Sequence, residues 1–452
     1  MDVQTSQWAL VIGLGVILFV VAPTAKTNAH FFRATTKHDE PPSMFMLTSS
    51  LVIAWIFAKS IANAANLGMS FGMVGGVAYA CYYLSFFVAG VVIYRMRTVG
   101  GFTSMHQYLS QQYGRRAVQF FSVLIAFRLF NEVWSNTMVI GSYFGPWGST
   151  PYFASVLVFT GLTLAYVLKG GLKTSLFTDT IQMMLFALLL AVILGFILPK
   201  EQGNLGKFVQ SGSWQMSQGL NLLFVALIQV LSYPFHDPVM TDRGFITPPK
   251  TTLYSFTIAT VVGFLCILLF SFVGIYANFQ GMKGDAAVEV SKSLGTAMML
   301  VMNLIMITSA GSTLDSTFSS FSKLAVVDLG KMGEKSIQRG RIAMVVLAIV
   351  GTIPVFLGPE ILSATTISGT MVIGLGPVFL LWRHNAPPLS FHLSVGAGLA
   401  VGLLFAFKWY PAHWTFTDGP HADLLAVNVG GTLLCFILFF IGKWITITTR
   451  KP

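Results

Sequence analysis

Residues 60–76 read SIANAANLGMSFGMVGG, and they interrupt an apolar run that begins near residue 44. Glycine frees the backbone, and Ser and Asn side chains compete for its hydrogen bonds. This density of small and polar residues predicts a helix broken inside a membrane. Five helices further on, Tyr233-Pro234-Phe235-His236-Asp237-Pro238 predicts a second break by another route. Each proline removes a backbone donor and kinks a helix. Freed backbone groups at membrane depth are tolerated only where they are buried in protein or line a cavity. Two broken helices at matching positions of two five-helix halves predict an inverted-repeat bundle with a site near the bilayer midplane.

The flanking sequence has the same character. Apolar runs recur at 7–23, 44–70, 72–94, 118–143, 150–168, 174–198, 220–241, 253–277, 291–327, 338–357, 361–382, 390–408 and 423–446. Each has about the 20 residues that a span needs. The fold class predicted is an all-α polytopic membrane protein of about thirteen transmembrane helices, a 5+5 inverted-repeat core with discontinuous core helices 1 and 6. An extra helix and cytoplasmic loop occupy 1–43. The first repeat is 44–198, the second 199–383, and two C-terminal helices fill 384–452.

Composition excludes other classes. Of the 452 residues, 54% are hydrophobic and 10% charged, where soluble domains carry roughly 25% charged. In water, such a chain would expose large apolar patches and aggregate. Cys81, Cys266 and Cys435 lie inside apolar runs without pairing or metal-ligand spacing. Phosphate loops, metalloprotease motifs and nucleophile elbows are absent, so no enzyme signature is read.

The net charge of +11 reflects topology rather than nucleic acid. With the N-terminus outside, 20 Lys and Arg fall in cytoplasmic segments, among them Lys37, Lys331, Arg450 and Lys451, and 5 in outer ones; Lys59 and Arg128 remain within helices. This asymmetry follows the positive-inside rule. It predicts a multi-pass protein of a bacterial-type inner (plasma) membrane with its C-terminus in the cytoplasm.

Charges inside apolar helices are expensive and mark function by default. The candidates are Lys59, Arg128, Glu132, Asp179, Asp237 and Asp315. Arg128 and Glu132, four apart, either pair locally on one helix or Glu132 answers Lys59. Lys59 is either held by a buried carboxylate, or aims its charge at a substrate carboxylate or titrates during transport. Residues 308–322, TSAGSTLDSTFSSFS, pack helices through hydroxyls or offer hard oxygen ligands to an alkali cation. Asp315 and Ser316 lie within that stretch and suit a second ion or a proton. Asp179 either caps its helix N-terminus or, lying well inside it, serves an ion. His236 reads as a hydrogen-bonded structural residue.

Three stretches resemble the sodium/solute symporter family, whose fold is leucine-transporter-like, and the general pattern is nearest its sodium/proline-type members. Residues 170–182, GGLKTSLFTDTIQ, match the start of that family's core helix 5. Residues 312–328, from Ser-Thr-Leu-Asp-Ser to Val-Val-Asp, match core helix 8. Residues 233–244, ending Asp-Arg-Gly, match the end of core helix 6. The resemblance implies a sodium site made by the carbonyls of Ile53, Ile56 and Ser309 with the hydroxyls of Ser312 and Thr313. It implies that Asp179 serves a second sodium or a proton and that Tyr233 is an aromatic gate. Lys59, Ser60 and Tyr79 fall where sugar-carrying members place polar substrate contacts. Lys59 itself stands where those members have an acidic or amide residue, and Val230 and Phe264 stand near where sugar contacts would be, which argues against a sugar. A cation at 4 Å would repel Na⁺ by about 1–4 kcal/mol in water-like to moderately screened surroundings.

The expectation is a symporter that imports a small polar solute, a carboxylate or amino acid, with Na⁺ by alternating access. Its substrate is expected among Trp55, Lys59, Ser60, Tyr79, Tyr82, Trp134 and Tyr233. The partners expected are that solute and the lipid bilayer, with no nucleic acid; the oligomeric state is left open. The alternatives are a proton-coupled or ion-independent carrier in which Lys59 replaces the cation, and a transporter-fold sensor.

Overall fold

The computed structural model describes residues 3–36, 38–330, 332–333, 335–358 and 368–449. Lys37, Lys331, Arg450, Lys451 and the first part of the predicted 361–382 span lie outside them. The described helices are α1 Val3–Val21, α2 Asn28–Arg33, α3 Met44–Trp55, α4 Ala58–Phe71, α5 Met73–Ala80, α6 Leu84–Thr98, α7 Met105–Phe144, α8 Thr150–Gly170, α9 Leu172–Lys200 and α10 Leu205–Val209. They continue with α11 Leu220–Gln229, α12 Pro238–Arg243, α13 Pro249–Phe279, α14 Ala286–Ser293, α15 Thr296–Lys323, α16 Ser336–Thr352, α17 Leu375–Leu380, α18 Pro388–Ala406 and α19 Ala422–Thr449.

Among the described residues, ten helices are long and apolar enough to cross a membrane, and the bent pair α3–α4 makes an eleventh span. The segment 220–243 is the broken helix predicted at Pro234 and Pro238: α11 ends at Gln229, a 3₁₀ turn runs from Tyr233 to His236, and α12 follows with Asp237 as its N-cap, accepting from Met240 N–H at 3.3 Å. Short caps set other starts. Ser43 accepts from Met46 N–H before α3, and Ser149 from Tyr152 N–H before α8.

The first break is not where the glycines predict it. Residues 60–71 are helical, and the chain turns at Ile56–Phe57, where α3 and α4 meet at 60°. The small residues serve packing instead. A Cβ added at Gly68 would lie 2.3 Å from the Ser271 carbonyl oxygen, and one at Gly274 would lie 1.7 Å from the Ala65 carbonyl oxygen. Helices α4 and α13 therefore cross backbone to backbone, as small residues permit in membranes. A left-handed Gly72 (φ 60°) then ends α4.

The chain forms two compact units of interleaved segments. The first comprises Met1–Ala80, Leu129–Ser213 and Val261–Ile361, and the second Cys81–Arg128, Trp214–Thr260 and Leu362–Pro452. Within the first, α15 packs on α3, α8 and α9. Within the second, α19 packs on α11 and α18.

Replacing Gly274 by Ala should destabilise the detergent-solubilised protein by about 1–3 kcal/mol through overpacking. Gly13→Ala, whose added Cβ meets nothing within 4 Å, should leave the unfolding temperature unchanged; thermal unfolding of both variants checks this.

Candidate functional site

In the first unit the site begins at the end of α3. Ile56 takes φ −76° and ψ 68°, which lets Phe57 run extended before α4 starts. Ser60 N–H, the helical donor for the Ile56 carbonyl, turns instead to the Phe57 carbonyl at 2.8 Å, and Lys59 N–H faces Asn136 Oδ1 at 3.5 Å. Carbonyl oxygens at this helix end are thereby released from the ladder.

Helix α15 meets that end. Thr313 Oγ1 lies 3.0 Å from the Ser309 carbonyl and 3.5 Å from the Ala54 carbonyl. The Ser309 hydroxyl is buried and has no hydrogen-bond partner among the described residues. The carbonyl that Thr313 reaches is thus that of Ala54, one residue past Ile53; Ile53 and Ile56 flank it, fully buried. The sequence carried no mark for Ala54, because its side chain takes no part.

One turn along α15, Ser312 donates to Asp179 Oδ1. Asp179 lies two turns into α9, whose N-cap is Gly171, so the capping reading of this carboxylate does not hold. It also accepts from Ser50 on α3, with Ser175 and Ser316 hydroxyls at 3.4 Å. Asp315 faces it across the same hydroxyls. It accepts from Ser175 at 2.7 Å, Thr178 at 2.8 Å and Tyr166 at 3.0 Å, with Ser316 at 3.4 Å. Two buried carboxylates thus share Ser175 and Ser316. Ser50, Tyr166, Ser175 and Thr178 were missed by the sequence reading; the i, i+4 spacing of Ser175 and Asp179 was the available signal.

Lys59, in the first turn of α4, is not open to solvent: its side chain is 1% exposed. Its ammonium donates to Glu132 Oε1 at 2.7 Å and Ser135 Oγ at 3.1 Å, and it stands 5.0 Å from the Phe57 ring centroid. Asn136 Nδ2 donates to Glu132 Oε2 at 2.8 Å. Glu132, Ser135 and Asn136 share one face of α7 because they are three and four residues apart. The cation that threatened to repel sodium is neutralised by Glu132. Nearby in the same unit, Tyr79 OH donates to Ser60 Oγ and receives Asn63 Nδ2, both at 3.2 Å. Trp55 tilts against Phe57, and Trp134 Nε1 donates to Asn131 Oδ1 at 3.2 Å.

The second unit holds Tyr82 and Tyr233, whose rings meet edge to face at 6.1 Å. Tyr82 OH donates to Gln229 Oε1 at 2.9 Å, and Gln229 Nε2 donates to Asn428 Oδ1 at 2.9 Å. Tyr233 also faces His236, whose Nδ1 lies 2.5 Å from the Tyr233 carbonyl, as expected for a structural histidine. The Arg128 guanidinium sits 5.4 Å from the Tyr233 ring centroid and donates to Asp237 Oδ2 at 3.1 Å. Among the described residues, Lys59 thus pairs with Glu132 and Arg128 with Asp237.

Comparison with known proteins points one way. No protein-family model matches the chain. A 166-residue stretch is 26% identical to the sodium/glucose cotransporter 2 of Rattus norvegicus. That match takes in 34% of this chain and 24% of the relative, so the chain spans about a quarter of the curated relative it matches. A sodium-coupled sialic acid symporter in a substrate-bound outward-open state is 15% identical and covers 98% of each chain with a TM-score of 0.70. A nucleobase-cation-symport-1 family transporter, closed with bromovinylhydantoin bound, covers 92% of this chain and 96% of its own with a TM-score of 0.59 at 13% identity. MhsT in complex with L-phenylalanine covers 92% and 99% with a TM-score of 0.53 at 12% identity. The chain has the inverted-repeat membrane-transporter fold, and the resemblance to sodium-coupled solute symporters read from the motifs is upheld. These relatives are transporters, not enzymes.

Arg128→Met removes a cationic partner of the buried Asp237 and should destabilise the protein by about 3–5 kcal/mol, while the double variant Arg128→Met/Asp237→Asn should recover a large part of that loss. Unfolding temperatures of the two single variants and the double variant measure the coupling; additive losses would show that the pair does not interact.

Proposed function

We propose that this protein is a sodium-coupled symporter of a cell membrane, of the bacterial inner-membrane type, that imports a small polar solute by alternating access. The N-terminus faces outside and the C-terminus the cytoplasm. The observation that carries the reading is the meeting of the Thr313 hydroxyl with the Ser309 and Ala54 carbonyls at the break between α3 and α4. Neutral, hard oxygens at an unwound helix end are what an alkali cation takes in exchange for its water. The orphaned Ser309 hydroxyl adds a further oxygen, and the Ile53 and Ile56 carbonyls with the Ser312 hydroxyl are its proposed companions. Sodium is cargo here, moved with the solute.

Asp179, Asp315 and Ser316 form a second ionic locus next to the first. Two carboxylates buried together need compensating charge, and a second cation or a proton supplies it. The link between the two loci is Ser312, which belongs to the first and donates to Asp179. On the solute side, Trp55, Lys59, Ser60, Tyr79 and Trp134 form the substrate site in the first unit, a carboxylate or amino acid being the ligand class. Tyr233, seated on Tyr82, Arg128 and His236, acts as an aromatic gate in the second unit. The carrier in which Lys59 replaces the sodium is disfavoured, because its ammonium is engaged with Glu132.

Sodium binding is testable without knowing the solute. The purified protein should be stabilised by NaCl and not by choline chloride at equal ionic strength, by about 1.4 kcal/mol at ten times the dissociation constant. Thr313→Val should weaken that sodium effect at least about tenfold, the loss of one well-placed ligand costing on the order of 1.4 kcal/mol, whereas Thr313→Ser should preserve it. Equal stabilisation by choline would end the sodium reading.

A further inference from the structure

Gln182 follows Asp179 by three residues on α9, one turn further along the helix, and belongs to neither ionic locus. It is fully buried, and neither its amide nitrogen nor its amide oxygen closes a hydrogen bond with the described residues. Burying an amide without partners is costly, and such groups in folded proteins are satisfied by protein or by ordered water. The amide lies against Gly311 of α15, where an added Cβ would come within 2.8 Å of Gln182 Nε2. It lines a cleft of about 240 Å³, open mouth included, between α1, α8, α9 and α15, all of them in the first unit.

Most of the wall is apolar: Val11, Leu14 and Leu18 come from α1, Phe159 and Leu162 from α8, and Ile307 from α15. Thr163 and Tyr166 bring hydroxyls to the same lining. The space admits about one water molecule, and a buried water needs a few polar partners of this kind. Tyr166 calls for a donor. Its bonds, to the Gly311 carbonyl at 3.2 Å and to Asp315 Oδ2 at 3.0 Å, both use its single proton. A hydroxyl also has lone pairs that accept. A water that accepts from Gln182 Nε2 and donates to the Tyr166 oxygen satisfies both side chains. It also turns the phenolic proton away from the cleft, towards Asp315 and Gly311.

We propose that this cleft is a binding site for an ordered water, held by Gln182 and Tyr166 under the cover of α1, and that Gln182 is a positioning residue for the second ionic locus. Gln182 is not an ion ligand. It acts through the water on Tyr166, which in turn holds Asp315 and the carbonyl of Gly311, next to Ser312. The positioning role rests on the second ionic locus proposed above; the water site does not.

The experiment uses the full-length protein in detergent with NaCl. A high-resolution density map should show a solvent peak within about 3 Å of both the Gln182 amide and the Tyr166 hydroxyl. Sodium affinity is then read by thermal-shift titration of NaCl against choline chloride at constant ionic strength. Gln182→Met keeps the side-chain length but gives the water no donor, and should weaken sodium binding about tenfold, as loss of an outer-shell partner does. In a Tyr166→Phe background the same replacement should cost little more, because its effect runs through that hydroxyl. A folded Gln182→Met with wild-type sodium affinity, or losses that add in the double variant, would overturn the positioning role. A map with acyl-chain density in the cleft, or with no solvent peak there, would overturn the water site, and it decides even if the variants do not fold. Wild-type protein that takes up no sodium would retire the sodium reading alone, since the map and the coupling of the unfolding temperatures still test the water.

Discussion

A carbonyl oxygen inside a bilayer has no water to turn to, so a helix that stops at membrane depth must account for every oxygen that it releases. The interruption at Ile56–Phe57 creates that debt in the first unit. Lys59 N–H goes to Asn136 and Ser60 N–H to Phe57, so neither closes the helical ladder onto α3. The hydroxyl row of α15 then comes to lie against the exposed end. Asp179 is held from α3 by Ser50 and from α15 by Ser312. Three helices thus converge on one locus because one of them ends early.

Charge follows the same logic. The buried pairs Lys59–Glu132 and Arg128–Asp237 join residues 73 and 109 positions apart. Each ties a helix break to α7: the first at the start of α4, the second at the N-cap of α12. On α7 the residues Arg128, Glu132 and Asn136 recur every four positions.

Much of this was legible in the sequence. The membrane class, the interruption at Pro234 and Pro238 and the clustering of the 308–322 hydroxyls all follow from composition, periodicity and proline chemistry; of the thirteen spans expected, ten are single long helices and an eleventh is the bent pair among the described residues. What misled was glycine. The 60–76 stretch reads as weakness, yet its small residues let α4 approach α13, and the same composition signals either a loose helix or a tight crossing. The true interruption, Trp55-Ile56-Phe57, carries no local mark, since all three residues sit well in a helix and only partners far along the chain turn them aside. The backbone oxygen of Ala54 and the hydroxyl of Ser50 were invisible for the same reason: their roles are set by distant neighbours.

The crossing of α4 and α13 has one more consequence. With a backbone oxygen of each helix seated against a glycine of the other, no side chain is left between them to flex or re-pack. Close-packed interiors do not deform continuously, so the two helices cannot slide past one another at this point. They travel as one lever with its pin at Gly68 and Gly274. Any tilt of the segment that begins at Lys59 is handed on to residues 271–274 of α13.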